Sequence, residues 1–262
     1  MKKLLTRSLS GIVYVALIVG CTLGGNHTFT LLMTLFMALG MLELNKMLSK
    51  GEAVNFLAIA LDIVFALWLL AMPASYGVEM GVYAYLPLRI IVAVLTSKGN
   101  QTDGFARSVF SISYLALPLM CLICIFNTDA FTALSLFILI WINDTGAFIT
   151  GCSIGRHKLC ERLSPKKTWE GFWGGFLFTV AAAVGLHYMG WIKLPIHYSI
   201  VLGAIVSAVG TFGDLFESMI KRNAGVKDSG NLIPGHGGIL DRIDSLLAVS
   251  PIVLLILEII NL

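Results

Sequence analysis

The stretch FTALSLFILIWINDTGAFIT, Phe131 to Thr150, is almost wholly apolar until it reaches Asn143 and Asp144. A hydrocarbon core about 30 Å thick takes roughly 20 apolar residues as an α-helix, so this stretch predicts a membrane-spanning helix. A carboxylate inside such a helix is costly and marks a candidate functional position. One segment therefore indicates both the fold class and a first site residue, Asp144.

The composition of the whole chain also indicates a membrane protein. Of the 262 residues, 57% are hydrophobic and only 13% are charged, whereas a soluble domain is nearer a quarter charged. We therefore predict one polytopic membrane domain over residues 1–262. We expect apolar N-terminal helices in residues 1–130, and we expect helices and cytoplasmic loops that carry the functional residues in residues 131–262.

Apolar runs predict an all-α fold with about nine transmembrane helices. The predicted spans are Leu9 to Leu23, Phe29 to Met47, Phe56 to Met72, Val78 to Leu95, Val109 to Phe126, Phe131 to Thr150, Phe172 to Met189, Ile200 to Met219 and Ile239 to Ile260. With a cytoplasmic N-terminus, every Lys and Arg except Lys193 and Arg89 falls on the cytoplasmic side, as the positive-inside rule requires. The loops after the sixth and eighth spans then face the cytoplasm.

Carboxylates are concentrated where the last two predicted spans meet. Asp214 and Glu217 are three residues apart near the end of the eighth span, and Asp241 and Asp244 are three apart at the start of the ninth. One loop joins these helices, so we expect them to be neighbours. Clustered carboxylates repel one another, and a hard cation such as Mg²⁺ would offset that cost. We predict Asp214, Asp241 and Asp244 as metal ligands and leave Glu217 open.

The loop between these spans, KDSGNLIPGHGGILDRIDS from Lys227 to Ser245, combines cations with a glycine-rich turn. Backbone N–H groups at Gly237 and Gly238 can face an anion just before a helix begins. The nearby basic side chains are Lys221, Arg222, Lys227, His236 and Arg242. Metal ligands, cations and an anion-binding turn together are typical of phosphoryl or nucleotidyl transfer.

A second polar stretch, SPKKTWEGFWGG from Ser164 to Gly175, is predicted on the same face. Lys166 and Lys167 are compact cations suited to phosphates, and the glycines permit close helix packing. Other basic residues nearby, Arg156, Lys158 and Arg162, are interpreted as topology signals or lipid headgroup contacts.

These residues resemble the CDP-diacylglycerol synthases, also called phosphatidate cytidylyltransferases. The resemblance runs through Ser218 to Arg222, Lys227-Asp228, Pro234 to Gly238 and Asp241 to Asp244, with further motifs at Ser164 to Gly171 and Asp144 to Ala147. It implies synthesis of CDP-diacylglycerol and pyrophosphate from CTP and phosphatidate, with Mg²⁺, at a bacterial inner (plasma) membrane. The implied catalytic set is Asp214, Lys221, Arg222, Lys227, His236, Asp241, Arg242 and Asp244. The implied substrate-binding set is Asp144, Ser164, Lys166, Lys167, Thr168, Gly237 and Gly238.

Two other classes of function stay open at this point. One is a different CTP-dependent or phospholipid-handling enzyme, such as a polyprenol kinase or a CDP-alcohol phosphotransferase. The other is a transporter in which Asp62, Arg89, Asp144 and Asp214 form an ion path. Most charge lies at one membrane face, which favours an enzyme. The expected partners are CTP, phosphatidate and membrane lipids but no nucleic acid, and self-association into a homo-oligomer is left open.

Overall fold

The computed structural model describes residues 2–49, 54–71, 77–96, 101–235 and 237–261. Its helices are α1 (Lys2–Leu23), α2 (Asn26–Leu48), α3 (Phe56–Ala71), α4 (Gly77–Leu95), α5 (Gln101–Ser111), α6 (Leu117–Thr128), α7 (Ala130–Ile154), α8 (Trp169–Tyr188), α9 (Ile196–Asn223) and α10 (Leu240–Asn261). A π-helical turn, Ile112–Ala116, joins α5 to α6 without a break. Two short strands, β1 (Lys158–Cys160) and β2 (Ser164–Thr168), lie between α7 and α8.

The prediction of a helical integral membrane protein is confirmed. Among the described residues, six helical segments are long and apolar enough to cross a membrane: Asn26–Leu48, Asp103–Thr128, Ala130–Ile154, Trp169–Tyr188, Ile196–Asn223 and Leu240–Ile260. Three shorter apolar helices, Ser8–Leu23, Phe56–Leu70 and Gly81–Leu95, occupy the other predicted spans. The count of nine and the cytoplasmic N-terminus stay predictions. The predicted end of the third span, Met72, lies outside the described residues.

Glycines bring the last four helices close together. A Cβ on Gly175 of α8 would lie 2.9 Å from the backbone oxygen of Asn143 on α7, and one on Gly213 of α9 would lie 3.0 Å from the backbone oxygen of Asp244 on α10. Distances this short leave no room for a side chain, so the close packing predicted for the glycines of α8 is confirmed. The packing places α7, α9 and α10 near enough for their carboxylates to meet.

The strands are a feature that the sequence analysis did not predict. They form an antiparallel hairpin in which Lys158 is opposite Thr168 and Cys160 is opposite Ser164. Glu170, on the first turn of α8, accepts hydrogen bonds from the backbone N–H of Arg156 at 3.0 Å and of His157 at 3.2 Å. The hairpin is too short and too charged for a strand pattern, and this tertiary contact helps to hold it.

An ion pair joins the start of α7 to the segment after α8. Lys193, after α8, lies 2.6 Å from Asp129, which caps α7 by accepting the N–H of Thr132 at 2.8 Å. Partial burial raises the pKa of Asp129, but hydrogen bonds from Lys193 and Thr132 outweigh it and hold that pKa below its usual value. This contact therefore holds the two segments together.

Candidate active site

Three carboxylates from two helices form the centre of the site. Oxygen atoms of Asp214, Glu217 and Asp244 all lie within 4.8 Å of one another. Asp214 and Glu217 share one side of α9, and the contact at Gly213 brings in Asp244 from α10. Glu217 Oε1 is buried and has no hydrogen-bond partner among the described residues. An unpartnered carboxylate oxygen within a set of oxygen donors fits a hard divalent cation.

Asp241 was predicted to be a metal ligand, which stays a prediction; the structure groups Glu217 with Asp214 and Asp244 and gives the Asp241 oxygens partners within the protein. Asp241 Oδ1 accepts a hydrogen bond from Lys221 Nζ at 2.6 Å. Its Oδ2 accepts from the N–H groups of Ser229 and Gly238, each at 2.9 Å, and lies 3.0 Å from Ser229 Oγ. Because both oxygens are used by the protein, Asp241 ties the loop to the start of α10.

Lys221 was predicted at a substrate phosphate, and that contact stays a prediction. Its side chain is buried and donates hydrogen bonds to Glu217 as well as to Asp241. A buried ammonium between two carboxylates neutralises part of their charge. Lys221 therefore joins Asp241 to the three-carboxylate cluster.

The glycine turn does place backbone N–H groups toward an anion, but the anions are the protein's own. The N–H of Gly238 is donated to Asp241, and those of Ile239 and Leu240 are donated to Glu43 of α2, both at 3.1 Å. Gly237 has a φ of 85°, a conformation that favours glycine. Substrate contacts of Gly237 and Gly238 stay predictions.

The remaining basic residues of the loop lie around this anchored turn. Arg222 is exposed and donates to the carbonyl of Val226 at 3.0 Å, and Lys227 is exposed. Arg242 is half-buried on the first turn of α10. His236 lies outside the described residues.

A cavity of about 490 Å³ is lined by residues of α7, the hairpin, α8 and α9. Asp144, Lys166, Lys167, Thr168 and Asp214 all line it. Lys167 Nζ lies 2.5 Å from Asp214 Oδ2, so the hairpin is held directly against the carboxylate cluster. The placement of the loops after the sixth and eighth spans on one cytoplasmic face stays a prediction.

The hairpin gives Lys158 and Thr168 contacts that the sequence analysis did not predict. Lys158, interpreted as a topology signal or headgroup contact, lines the same cavity because its strand pairs with the strand that carries Lys166 and Lys167. Thr168, predicted to bind substrate, caps α8 by accepting the N–H of Gly171 at 3.1 Å. Ser164 is half-buried opposite Cys160.

A second, apolar cavity of about 850 Å³ also borders the hairpin. Its wall includes Leu159 and Leu163 of the hairpin, Gly213 and Phe216 of α9, and Ala248 of α10. Gly213 and Phe216 flank the cluster residue Asp214 in sequence. An apolar cavity thus borders the part of α9 that carries Asp214.

The residues proposed for a transporter path fall into separate contact groups. Asp62 and Arg89 are buried and lie 3.5 Å apart. Asp62 also accepts hydrogen bonds from Tyr85 at 2.8 Å and Ser108 at 2.6 Å. These contacts involve α3, α4 and α5, whereas Asp144 and Asp214 line the polar cavity. The arrangement gives Asp62 and Arg89 a structural role in holding three helices together.

Sequence reasoning missed Glu43 and left Glu217 undecided. Glu43 is the single carboxylate within the second predicted span. An ionisable residue inside a span is a functional candidate by default, so the rule that selected Asp144 could also have selected Glu43.

The amino-acid sequence is similar to those of known proteins along nearly its whole length. Residues 5–260 match the cytidylyltransferase family. The chain is 32% identical to the phosphatidate cytidylyltransferase of Bacillus subtilis (strain 168), with 95% of this chain and 94% of that protein covered. It is 31% identical to the protein of the same name from Staphylococcus epidermidis, with 96% and 98% covered.

Proposed function

Because the chain belongs to the cytidylyltransferase family, we propose that it joins CTP to phosphatidate and releases CDP-diacylglycerol and pyrophosphate. The active site would face the cytoplasm of a bacterial inner (plasma) membrane.

The observation that carries the proposal is the polar cavity. It combines Lys158, Lys166 and Lys167 with Asp214 of the carboxylate cluster. A volume of about 490 Å³ falls within the roughly 300–1,000 Å³ range of small-molecule sites. Three lysines suit the triphosphate of CTP, because ammonium groups neutralise phosphate oxygens at close range.

In the proposed reaction, a phosphate oxygen of phosphatidate forms a bond to the α-phosphorus of CTP. The bond from that phosphorus to the oxygen of the β-phosphate breaks, and pyrophosphate leaves with the electron pair. Phosphatidate is already ionised, so no strong general base is needed. The protein's contribution is to position the two phosphates and to neutralise the negative charge between them.

Asp214, Glu217 and Asp244 would hold Mg²⁺, which when bound supplies Lewis-acid stabilisation of phosphate oxygens. Lys221 limits the negative charge of this cluster, and Asp241 keeps Lys221 in place. Asp214 belongs to the carboxylate cluster, lines the cavity and forms an ion pair with Lys167. The residues that bind the nucleotide and those that would bind the metal therefore meet at Asp214.

The apolar cavity supports a lipid as the second substrate. It borders Gly213 and Phe216 and is lined almost wholly by apolar side chains. Acyl chains there would place a lipid phosphate near the carboxylate cluster. A nucleotide and a lipid would then approach Asp214 from two cavities that both border the hairpin.

The direct test is an assay of the purified protein with labelled CTP, phosphatidate and Mg²⁺. A labelled product that partitions into organic solvent is expected, together with pyrophosphate. Absence of that product under every metal condition would refute the proposed function.

Variants of the hairpin lysines test the role of the cavity. Loss of one charge-assisted contact costs about 1.5–3 kcal/mol, so Lys158→Ala and Lys167→Ala should each lower kcat/KM for CTP about 10- to 100-fold. Arg162→Ala is the matched control, because Arg162 is exposed in the same hairpin and does not line the cavity. Equal kinetics for all three variants would remove the hairpin from the CTP site.

A further inference from the structure

Glu43 of α2 contacts the start of α10 with both of its carboxylate oxygens. Oε1 accepts the N–H of Ile239 at 3.1 Å, and Oε2 accepts the N–H of Leu240 at 3.1 Å. The first N–H groups of a helix have no partner within the helix and carry partial positive charge. Glu43 therefore caps α10 from a helix almost 200 residues away in the chain.

The loop is shaped around this carboxylate. A Cβ on Gly230 would lie 2.6 Å from Glu43 Oε1, and a Cβ on Gly238 would also collide with the Glu43 carboxylate. Two glycines of the loop thus leave the space that the Glu43 side chain fills. The predicted anion-binding turn has its anion supplied by α2.

A continuous set of contacts connects Glu43 to the carboxylate cluster. Ser229 Oγ lies 3.2 Å from Glu43 Oε2 and 3.0 Å from Asp241 Oδ2. Asp241 accepts from Lys221, and Lys221 donates to Glu217 of the cluster. The direction of Glu217, and with it the position of its unpartnered oxygen, depends on these partners.

We infer that Glu43 is a positioning residue for the cation-binding carboxylates, acting through Ser229, Asp241 and Lys221. The inference rests on the proposed function in that it takes Asp214, Glu217 and Asp244 as the ligand set. Partners that orient metal ligands typically change metal affinity 10- to 100-fold when they are altered. Because four contacts through three intermediate residues separate Glu43 from Glu217, we expect the lower end of that range.

The chosen variant is Glu43→Gln, which keeps the size of the side chain. An amide has one acceptor oxygen, and its NH₂ group would face a backbone N–H of the helix start. The matched control is Glu258→Gln, which removes an exposed carboxylate near the other end of α10. Ser229→Ala is a milder second variant that removes only the shared hydroxyl.

Three measurements on the full-length protein in detergent separate positioning from simple structural support. Mn²⁺ binding, measured by electron paramagnetic resonance without nucleotide or lipid, should weaken about tenfold in Glu43→Gln and about threefold in Ser229→Ala. Amide hydrogen exchange should rise in the segment 229–240 and stay unchanged in α7 and α8. The Mg²⁺ concentration for half-maximal rate should rise about tenfold, and excess Mg²⁺ should restore the rate with KM for CTP within about twofold of wild type.

Several outcomes would overturn the inference. Faster exchange in 229–240 with unchanged Mn²⁺ affinity would make Glu43 a structural cap only. Unchanged amide exchange and unchanged Mn²⁺ affinity in Glu43→Gln and Ser229→Ala would also overturn it. The same holds if Mn²⁺ binding weakens in the control Glu258→Gln. Mn²⁺ binding that survives in Asp244→Asn would show that the ion binds elsewhere and would overturn it too. If Mn²⁺ binding depends on Glu43 but no lipid-soluble product forms in the wild type, the positioning role is supported and the proposed reaction is refuted.

Discussion

Asparagine substitutions at Asp241 and Asp244 should change the stability of the metal-free protein in opposite directions. The two residues are three apart on the first turns of α10 and were predicted together as metal ligands. The structure assigns them different surroundings: Asp241 is bonded by Lys221 and the loop, whereas Asp244 faces two other carboxylates. Removing the charge of a carboxylate that anchors a loop should lower the free energy of unfolding, whereas removing the charge of a carboxylate that is repelled by its neighbours should raise it.

The magnitudes follow from the contacts. Asp241→Asn loses a charge-assisted bond to Lys221 or places its NH₂ group against the N–H groups of Ser229 and Gly238. Such a bond contributes about 1.5–3 kcal/mol, and an unsatisfied buried donor costs about 1–3 kcal/mol. We expect the free energy of unfolding to fall by about 2–4 kcal/mol.

Asp244→Asn should raise the free energy of unfolding in the absence of metal. Its carboxylate lies within 4.8 Å of those of Asp214 and Glu217, and like charges at that distance repel by about 3 kcal/mol at an effective dielectric constant of 20. Asp244 is half-buried, which reduces the gain to about 1–2 kcal/mol. The hydrogen bond from the Ser245 N–H to Asp244 Oδ1 can persist in the amide.

The assay is thermal unfolding in detergent with EDTA and, separately, with Mg²⁺. For a chain of this size 1 kcal/mol shifts Tm by about 2–4 °C, so Asp241→Asn should melt about 4–16 °C below wild type and Asp244→Asn about 2–8 °C above it. Mg²⁺ should stabilise the wild type and Asp241→Asn but not Asp244→Asn. If Asp241→Asn is more stable than wild type in EDTA and insensitive to Mg²⁺, then Asp241 is a ligand and the anchoring role is wrong.

Three further outcomes are expected. Gly175→Ala should destabilise the protein by about 1–3 kcal/mol, because its Cβ would press on the backbone of α7. Gly185 lies on the same helix with open space around it, so Gly185→Ala should be neutral or slightly stabilising in the same thermal unfolding assay. Arg89→Met should cost about 3–5 kcal/mol because it leaves Asp62 charged and buried, and a melt within about 1 kcal/mol of wild type would contradict this. A cysteine at Asn231 should react with an impermeant thiol reagent only from the cytoplasmic side, with the parent protein correcting for native cysteines; labelling of sealed cells from outside would reverse the predicted orientation.

Local pattern was sufficient for the membrane helices and for much of the site. A run of apolar residues long enough to cross a bilayer defines a span without reference to the rest of the chain. Spacing of three residues likewise puts Asp214 and Glu217 on one side of α9. Asp144, Lys166 and Lys167 were selected by charge in or beside apolar segments, and the structure brings all three to one cavity.

Spacing along one helix could not decide which carboxylates face each other across two helices. Asp241 and Asp244 both lie at the start of α10, and only the packing of α9 against α10 at Gly213 determines that Asp244 joins the cluster while Asp241 meets Lys221. The hairpin that brings Lys158 into the cavity is held by Glu170, a contact with no periodic signal.

Hydrophobicity and helical period are properties of neighbouring residues, so the sequence was sufficient to predict the membrane setting and the types of side chain that meet near Asp214. The pairing of charges followed only from the way the helices pack. Glu43 lies almost 200 residues from the helix that it caps. A hydrogen bond acts over about 3 Å in space, so its partners follow from how the helices pack and not from their separation in the chain.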